Sequence, residues 1–110
     1  MPMKNILFVD DETRVLDGLK RMLRGRRREW NMSFAESGKE ALTLLESSHF
    51  DVVVSDMRMP GMDGAELLAR VRENYPDTVR IVLSGHCATD AAMRTVPVAH
   101  QFLNKPCECE

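Results

Sequence analysis

Long hydrophobic runs are missing from this chain of 110 residues. Its N-terminus, Met1-Pro2-Met3-Lys4-Asn5, precedes only a short apolar run, Ile6 to Val9, before Asp10 interrupts it. That is too little for a secretory signal or a membrane span, so a cytoplasmic protein with no membrane partner is expected. Cysteine is scarce and odd in number. Cys87, Cys107 and Cys109 cannot close a disulfide framework, and Cys107-Glu108-Cys109 has no second Cys or His pair beside it to complete a soft metal site. Nor is charge of one sign in excess: a net charge of −2 gives no overall attraction to nucleic acid, and none is expected as a partner. The local basic cluster Arg26-Arg27-Arg28-Glu29-Trp30 reads as a solvated connection after a helix C-terminus, where cations favour the helix dipole.

What remains is the composition of an ordinary globular domain, 44% hydrophobic and 29% charged, long enough for one core and too short for two. The segment Phe50 to Gly61 organises it. Val52-Val53-Val54 has no polar alternation, as befits a strand covered on both faces of a parallel sheet, and the run delivers Asp56 to its tip before a turn at Pro60-Gly61. Ile6-Leu7-Phe8-Val9 is a second buried strand, ending in Asp10-Asp11-Glu12. The helix after it carries Val15, Leu19, Met22 and Leu23 on its inner stripe and stops near Arg24-Gly25, where glycine ends it.

Met32 to Ala35 predicts an edge strand. Ser37 and Glu40 form a capping box that opens a helix with Ala41, Leu44 and Leu45 inside. Asp63 and Glu66 repeat that spacing before Leu67, Leu68 and Val71, and Asn74 to Asp77 closes the helix. Arg80 to Gly85 is a further buried strand, Thr89 to Thr95 a short helix stopped by Pro97, and His100 to Asn104 a last strand running into Lys105-Pro106. Five strands alternating with four helices predict an α/β fold around a doubly wound parallel sheet.

In such a sheet the carboxyl ends of the strands converge on one crevice. Asp10, Asp11, Asp56, Ser84 and Lys105 all stand at those ends. Three clustered carboxylates repel, and a hard divalent cation such as Mg²⁺ relieves the repulsion while keeping positions for waters and a phosphoryl group. Lys105 and Ser84 would hold the remaining phosphoryl oxygens, with Asp56 as the nucleophile that forms an acyl phosphate.

Taken together, Phe8-Val9-Asp10-Asp11-Glu12, Val54-Ser55-Asp56-Met57-Arg58-Met59-Pro60-Gly61-Met62-Asp63-Gly64, Leu83-Ser84-Gly85-His86 and Lys105-Pro106 resemble the receiver domain of two-component response regulators over essentially the whole chain. The resemblance implies a flavodoxin-like sheet of strand order 2-1-3-4-5. It implies that Asp56 is the phosphoacceptor, that Asp10, Asp11, Asp56 and the Met57 carbonyl hold Mg²⁺, and that Ser84 and Lys105 bind the phosphoryl group. Ser84 and Phe102 would be the switch residues, and the Lys105-Pro106 bond would be cis. The implied partners are a sensor histidine kinase or phosphotransfer protein, the protein's own output domain, and a second copy in a homodimer. Phosphorylation would then shift the population between two packings of the output surface. Arg58 and His86, each two residues beyond Asp56 and Ser84, flank the site where they would tune hydrolysis of the acyl phosphate.

A receiver needs a fifth helix after Lys-Pro, whereas four residues follow Pro106 here, so residues 1–110 are expected to be a receiver cut before that helix and before an output domain. Two rivals differ in chemistry. An aspartate-nucleophile phosphatase of the haloacid dehalogenase type wants a second Asp where Arg58 stands, so no separate enzymatic turnover is expected. A degenerate receiver acting as a phosphorylation-independent docking or dimerisation module would have lost one of the five site residues, and none is missing. The wording around Ser84-Gly85-His86 is similar both to receivers of HD-type cyclic-dinucleotide phosphodiesterases and to receivers of transcription factors.

Overall fold

The computed structural model describes the backbone of residues 3–84 and 101–104 and the side chains of residues 3–83. The expected helix between Thr89 and Thr95, His86, Lys105-Pro106 with its peptide bond, and the cysteine tail all lie outside the described residues.

Within them the order is β1 (Lys4–Val9), α1 (Thr13–Met22), a 3-10 turn (Arg24–Arg26), β2 (Trp30–Ala35), α2 (Gly38–Ser47), β3 (Val52–Asp56), α3 (Gly64–Asn74), β4 (Val79–Ser84) and β5 (Gln101–Asn104). The strands form one parallel sheet in the order β2-β1-β3-β4-β5. Successive side chains of a strand point to opposite faces, and this divides the core in two. Leu7, Val9, Val53 and Val82 pack with Ala41 and Leu45 of α2 and Leu67, Leu68 and Val71 of α3. Ile6, Phe8, Val54 and Leu83 pack with Val15, Leu16 and Leu19 of α1. Valine runs without alternation are therefore what β3 requires, being covered from both sides. No helix among the described residues is long and apolar enough to cross a membrane.

Both capping pairs form. Ser37 Oγ accepts the Glu40 N–H at 3.0 Å, although Glu40 returns its carboxylate to the Glu36 N–H at 2.8 Å. Asp63 accepts the Glu66 N–H at 2.8 Å. Four details depart from expectation. First, β1 and β2 each begin two residues early, because the parallel register pairs Lys4 with Trp30 and Asn5 with Asn31, and the polarity of Lys4, Asn5 and Asn31 hides these pairs from a periodicity reading. Second, α1 ends at Met22, capped by the Leu23 N–H donating to the Leu19 carbonyl at 2.9 Å; Gly25 sits in the following 3-10 turn without a positive φ. Third, Leu16 takes an inner position on α1, whereas Met22 is 61% exposed. Met22 does face the sheet side, but it borders a groove of about 570 Å³ floored by Val54, Ile81 and Leu83 that no other described element covers. Fourth, β4 begins one residue early, at Val79, which is 41% exposed; Arg80 is buried as expected, its guanidinium donating to the Thr78 carbonyl at 3.2 Å.

Asp51 ties three strands together where β3 begins. Its N–H donates to the Asn5 carbonyl at 2.7 Å, its carbonyl accepts the Val79 N–H at 2.9 Å, and its carboxylate accepts the Asn5 N–H at 2.8 Å. The Asn5 N–H is the main reason its pKa lies below the ordinary 3.8; burial opposes the shift, and His49, 3.2 Å away, and Lys4 reinforce it. A depressed folded-state pKa contributes stability above the unfolded value that disappears as pH falls through the folded one. Asp51→Asn is accordingly expected to lag the wild type most above about pH 5, with the gap narrowing below about pH 3, as read by urea denaturation across that range. A gap independent of pH would contradict this role for the carboxylate.

Candidate functional site

The parallel order brings the carboxyl ends of β1, β3, β4 and β5 to one edge of the sheet. Asp10 is the first residue beyond β1. It is fully buried, its N–H donates to the Ala35 carbonyl at 3.1 Å, and its Oδ1 accepts the Glu12 N–H at 2.8 Å. Those bonds fix the side chain and start α1, so Asp10 serves the local turn as well as the crevice. Asp11 is exposed at the lip. Asp56 ends β3 and is 4% exposed.

One carboxylate oxygen from each of Asp10, Asp11 and Asp56 lies within 4.8 Å of the other two. Oxygen donors only, one of them open to solvent, fit a hard divalent cation that keeps part of its water shell, and Mg²⁺ belongs to that class. The Met57 carbonyl, expected as a further ligand, accepts the Gly64 N–H at 2.8 Å, which commits one of its lone pairs to the start of α3. Next to Asp56, Met57, Arg58, Met59, Pro60 and Asp63 line a hollow of about 350 Å³, and Arg58 is exposed on its wall. Pro60-Gly61 bends the chain there with Gly61 at φ 76°, a left-handed conformation that glycine adopts without steric cost.

The backbone of Ser84 ends β4 one residue past Leu83, the register partner of Asp56, and pairs with Asn104 at the end of β5. The backbone of Ser84 is thus at the carboxylate edge, and Lys105 is the next residue in sequence after β5. Phe102 lies in β5, paired with Val82. The side chains of Ser84 and Phe102, and all of Lys105 and His86, are outside the described residues.

Gly64 was not anticipated as a positioning residue. A Cβ there would overlap the Asp56 carbonyl oxygen and come within 2.9 Å of the Met57 Cα, so only glycine lets α3 dock against the end of β3. A glycine directly after an N-cap aspartate, opening a helix instead of ending one, was the available signal.

Comparison with known proteins points to one family. Residues 6–110 match the family model described as the response regulator receiver domain. The hydrogenase transcriptional regulatory protein HoxA of Cupriavidus necator is 40% identical over 103 residues, covering 92% of this chain but 21% of the relative, so this chain spans about a fifth of that protein. The signal receiver domain of an HD domain-containing protein from Pseudomonas fluorescens Pf-5 superposes with a TM-score of 0.88 at 32% identity, over 97% of this chain and 86% of the other. The response regulator TrrA of Thermotoga maritima, crystallised in complex with Mg²⁺ and BeF, superposes with a TM-score of 0.82 at 31% identity, over 94% and 87%.

Gly64→Ala is expected to destabilise the fold by about 2–4 kcal/mol, since both the clashing groups are backbone and cannot rotate away. Thermal or urea unfolding measures the loss, and a change below about 0.5 kcal/mol would show that α3 does not need this close approach.

Proposed function

This chain belongs to the family of response regulator receiver domains, and from that membership we propose that Asp56 is the residue through which it receives its signal. It is a receiver of two-component signalling; the roles of individual side chains are inferred as follows. A carboxylate oxygen of Asp56 attacks the phosphorus of a phosphohistidine on a sensor kinase or phosphotransfer protein. The P–N bond breaks, the imidazole leaves with that electron pair and takes up a proton, and Asp56 becomes an acyl phosphate. Asp10, Asp11 and Asp56 would hold Mg²⁺, which would supply neutralisation of the charge gathered on carboxylates and phosphoryl oxygens. Buried Asp10, braced by the Glu12 N–H, keeps the ligand geometry while exposed Asp11 admits the ion.

Ser84 and Lys105 bind the remaining phosphoryl oxygens, and Phe102 changes packing when Ser84 moves. Arg58 on the hollow wall and His86 control access of the hydrolysing water. The output domain follows residue 110 in the full-length protein, as the small share of the relatives' length spanned here suggests. The receiver domain itself turns over no separate substrate.

One observation carries this reading: three carboxylates from two strand ends converge within 4.8 Å, a costly arrangement unless a cation and a phosphoryl group use it. The complex of a similar receiver with Mg²⁺ and BeF, whose fluorides stand in for phosphoryl oxygens, supports it. A docking module without phosphorylation has no use for the arrangement.

Incubation with Mg²⁺ and acetyl phosphate or phosphoramidate is expected to add one acid-labile phosphoryl group, read by intact mass, that Asp56→Asn abolishes. Asp11→Asn should raise the Mg²⁺ concentration for half-maximal labelling by about tenfold or more. Labelling that survives Asp56→Asn, or steady hydrolysis of the donor without labelled protein, would overturn the assignment.

A further inference from the structure

The signalling site leaves one built feature unused. Four of the five residues from Arg24 to Arg28 are arginine, all exposed, and Lys20 and Arg21 stand one turn before them. Lys20 lies 4.0 Å from Asp17 and Arg26 lies 3.2 Å from Glu29; Arg21, Arg24, Arg27 and Arg28 form no ion pair with a described residue. Beside them is a hollow of about 350 Å³, floored by Met3, Trp30, Met32 and Phe34 and rimmed by Lys20 and Arg27.

Its apolar floor belongs to β2, an edge strand paired only with β1. The strand Trp-Asn-Met-Ser-Phe-Ala has no charge and no proline, the usual guards against addition of another strand. Lys20 Nζ sits 4.8 Å from the centroid of the Phe34 ring, which holds it at the rim, and the Arg26 guanidinium lies 5.8 Å from that of Trp30, which holds it close to the hollow.

We propose that an extended acidic segment of a partner protein docks here, adding its backbone to the free edge of β2 and seating one bulky apolar side chain in the hollow. The free edge supplies backbone hydrogen bonds, the pocket selects a side chain, and the unpaired arginines select acidic neighbours. Nucleic acid fits less well. The Phe34 ring is already engaged by Phe8, with centroids 5.3 Å apart, and by Lys20, the Trp30 ring carries Arg26, and the net charge of −2 supplies no long-range attraction. This surface starts from the amino-terminal edge of the sheet, away from the carboxylates, and does not depend on the role of Asp56.

The test uses a labelled peptide of alternating glutamate and leucine, the same peptide with lysine for glutamate, and single-stranded oligothymidylate, each titrated against this chain by fluorescence anisotropy. The acidic peptide is expected to bind with Kd of about 10–100 µM and to weaken about tenfold when salt is raised from about 50 to about 500 mM. Arg27→Glu should weaken it about tenfold, whereas Arg14→Glu, the same charge change on the far end of α1, should alter it less than about twofold. The bound peptide should also slow amide hydrogen exchange in β2. Equal effects of the two substitutions, binding without protection of β2, tighter binding of the lysine peptide or of oligothymidylate, or no binding of the acidic peptide at about 1 mM would each overturn the proposal.

Discussion

Like charge forced together is the constraint on which this molecule turns. Asp10 and Asp56 are both buried and, with Asp11, bring carboxylate oxygens within 4.8 Å of one another. At an effective dielectric of about 20, two unit charges at that separation repel by roughly 3 kcal/mol. A sequence selected for stability alone would not hold that arrangement, because an apolar residue at either buried position would remove the repulsion. The fold has to impose it, and it does so with backbone that is hard to move: Asp10 is pinned between the Ala35 carbonyl and the Glu12 N–H, and Asp56 is the last residue of a strand paired on both sides.

Rigidity on the other flank comes from contact without a side chain. Gly64 brings the first turn of α3 against the Asp56 carbonyl, and its N–H takes up the Met57 carbonyl. The Asp63 cap fixes where that helix starts, while Leu67, Leu68 and Val71 anchor it to β1, β3 and β4. The loop from Met57 to Asp63 is thus held at both ends, and Gly61 supplies the one positive φ among the described residues that lets it turn. The hollow beside Asp56 owes its shape to those anchors.

How much of this was legible depended on the kind of signal. β3 and the centre of β1 were readable because burial on both faces demands an unbroken apolar run, and the two capped helices because Ser37 with Glu40 and Asp63 with Glu66 carry their own start marks. The convergence of Asp10, Asp11 and Asp56 followed from placing each acid at the end of such a run, whereas the strand order came from the resemblance to receiver domains. Strand starts were not readable, since Lys4, Asn5 and Trp30 join the sheet through backbone pairing that side-chain polarity does not report. How the buried Arg80 is satisfied was unreadable for a related reason: its guanidinium donates to the carbonyls of Pro76 and Thr78, which no residue pattern announces. The stop of α1 was misjudged because glycine was taken as the terminator, while the backbone bond from Leu23 had already closed the helix.

The near-zero net charge conceals a division that matters more than the total. Carboxylates gather where strands end, and arginines gather where α1 ends and β2 begins. Parallel strands and antiparallel helices make this division natural, since helix C-termini attract cations and lie at the edge where strands start. Six of the fifteen basic residues nevertheless fall between Lys20 and Arg28, with no acid in that stretch, which exceeds what one helix terminus can use. Such an excess raises local solubility at one edge while leaving the other free to concentrate negative charge around a cation. The two ends can therefore be altered independently: exposed arginines at one edge share no hydrogen bond with the carboxylates at the other, so selection on a partner at the basic edge need not disturb the chemistry across the sheet.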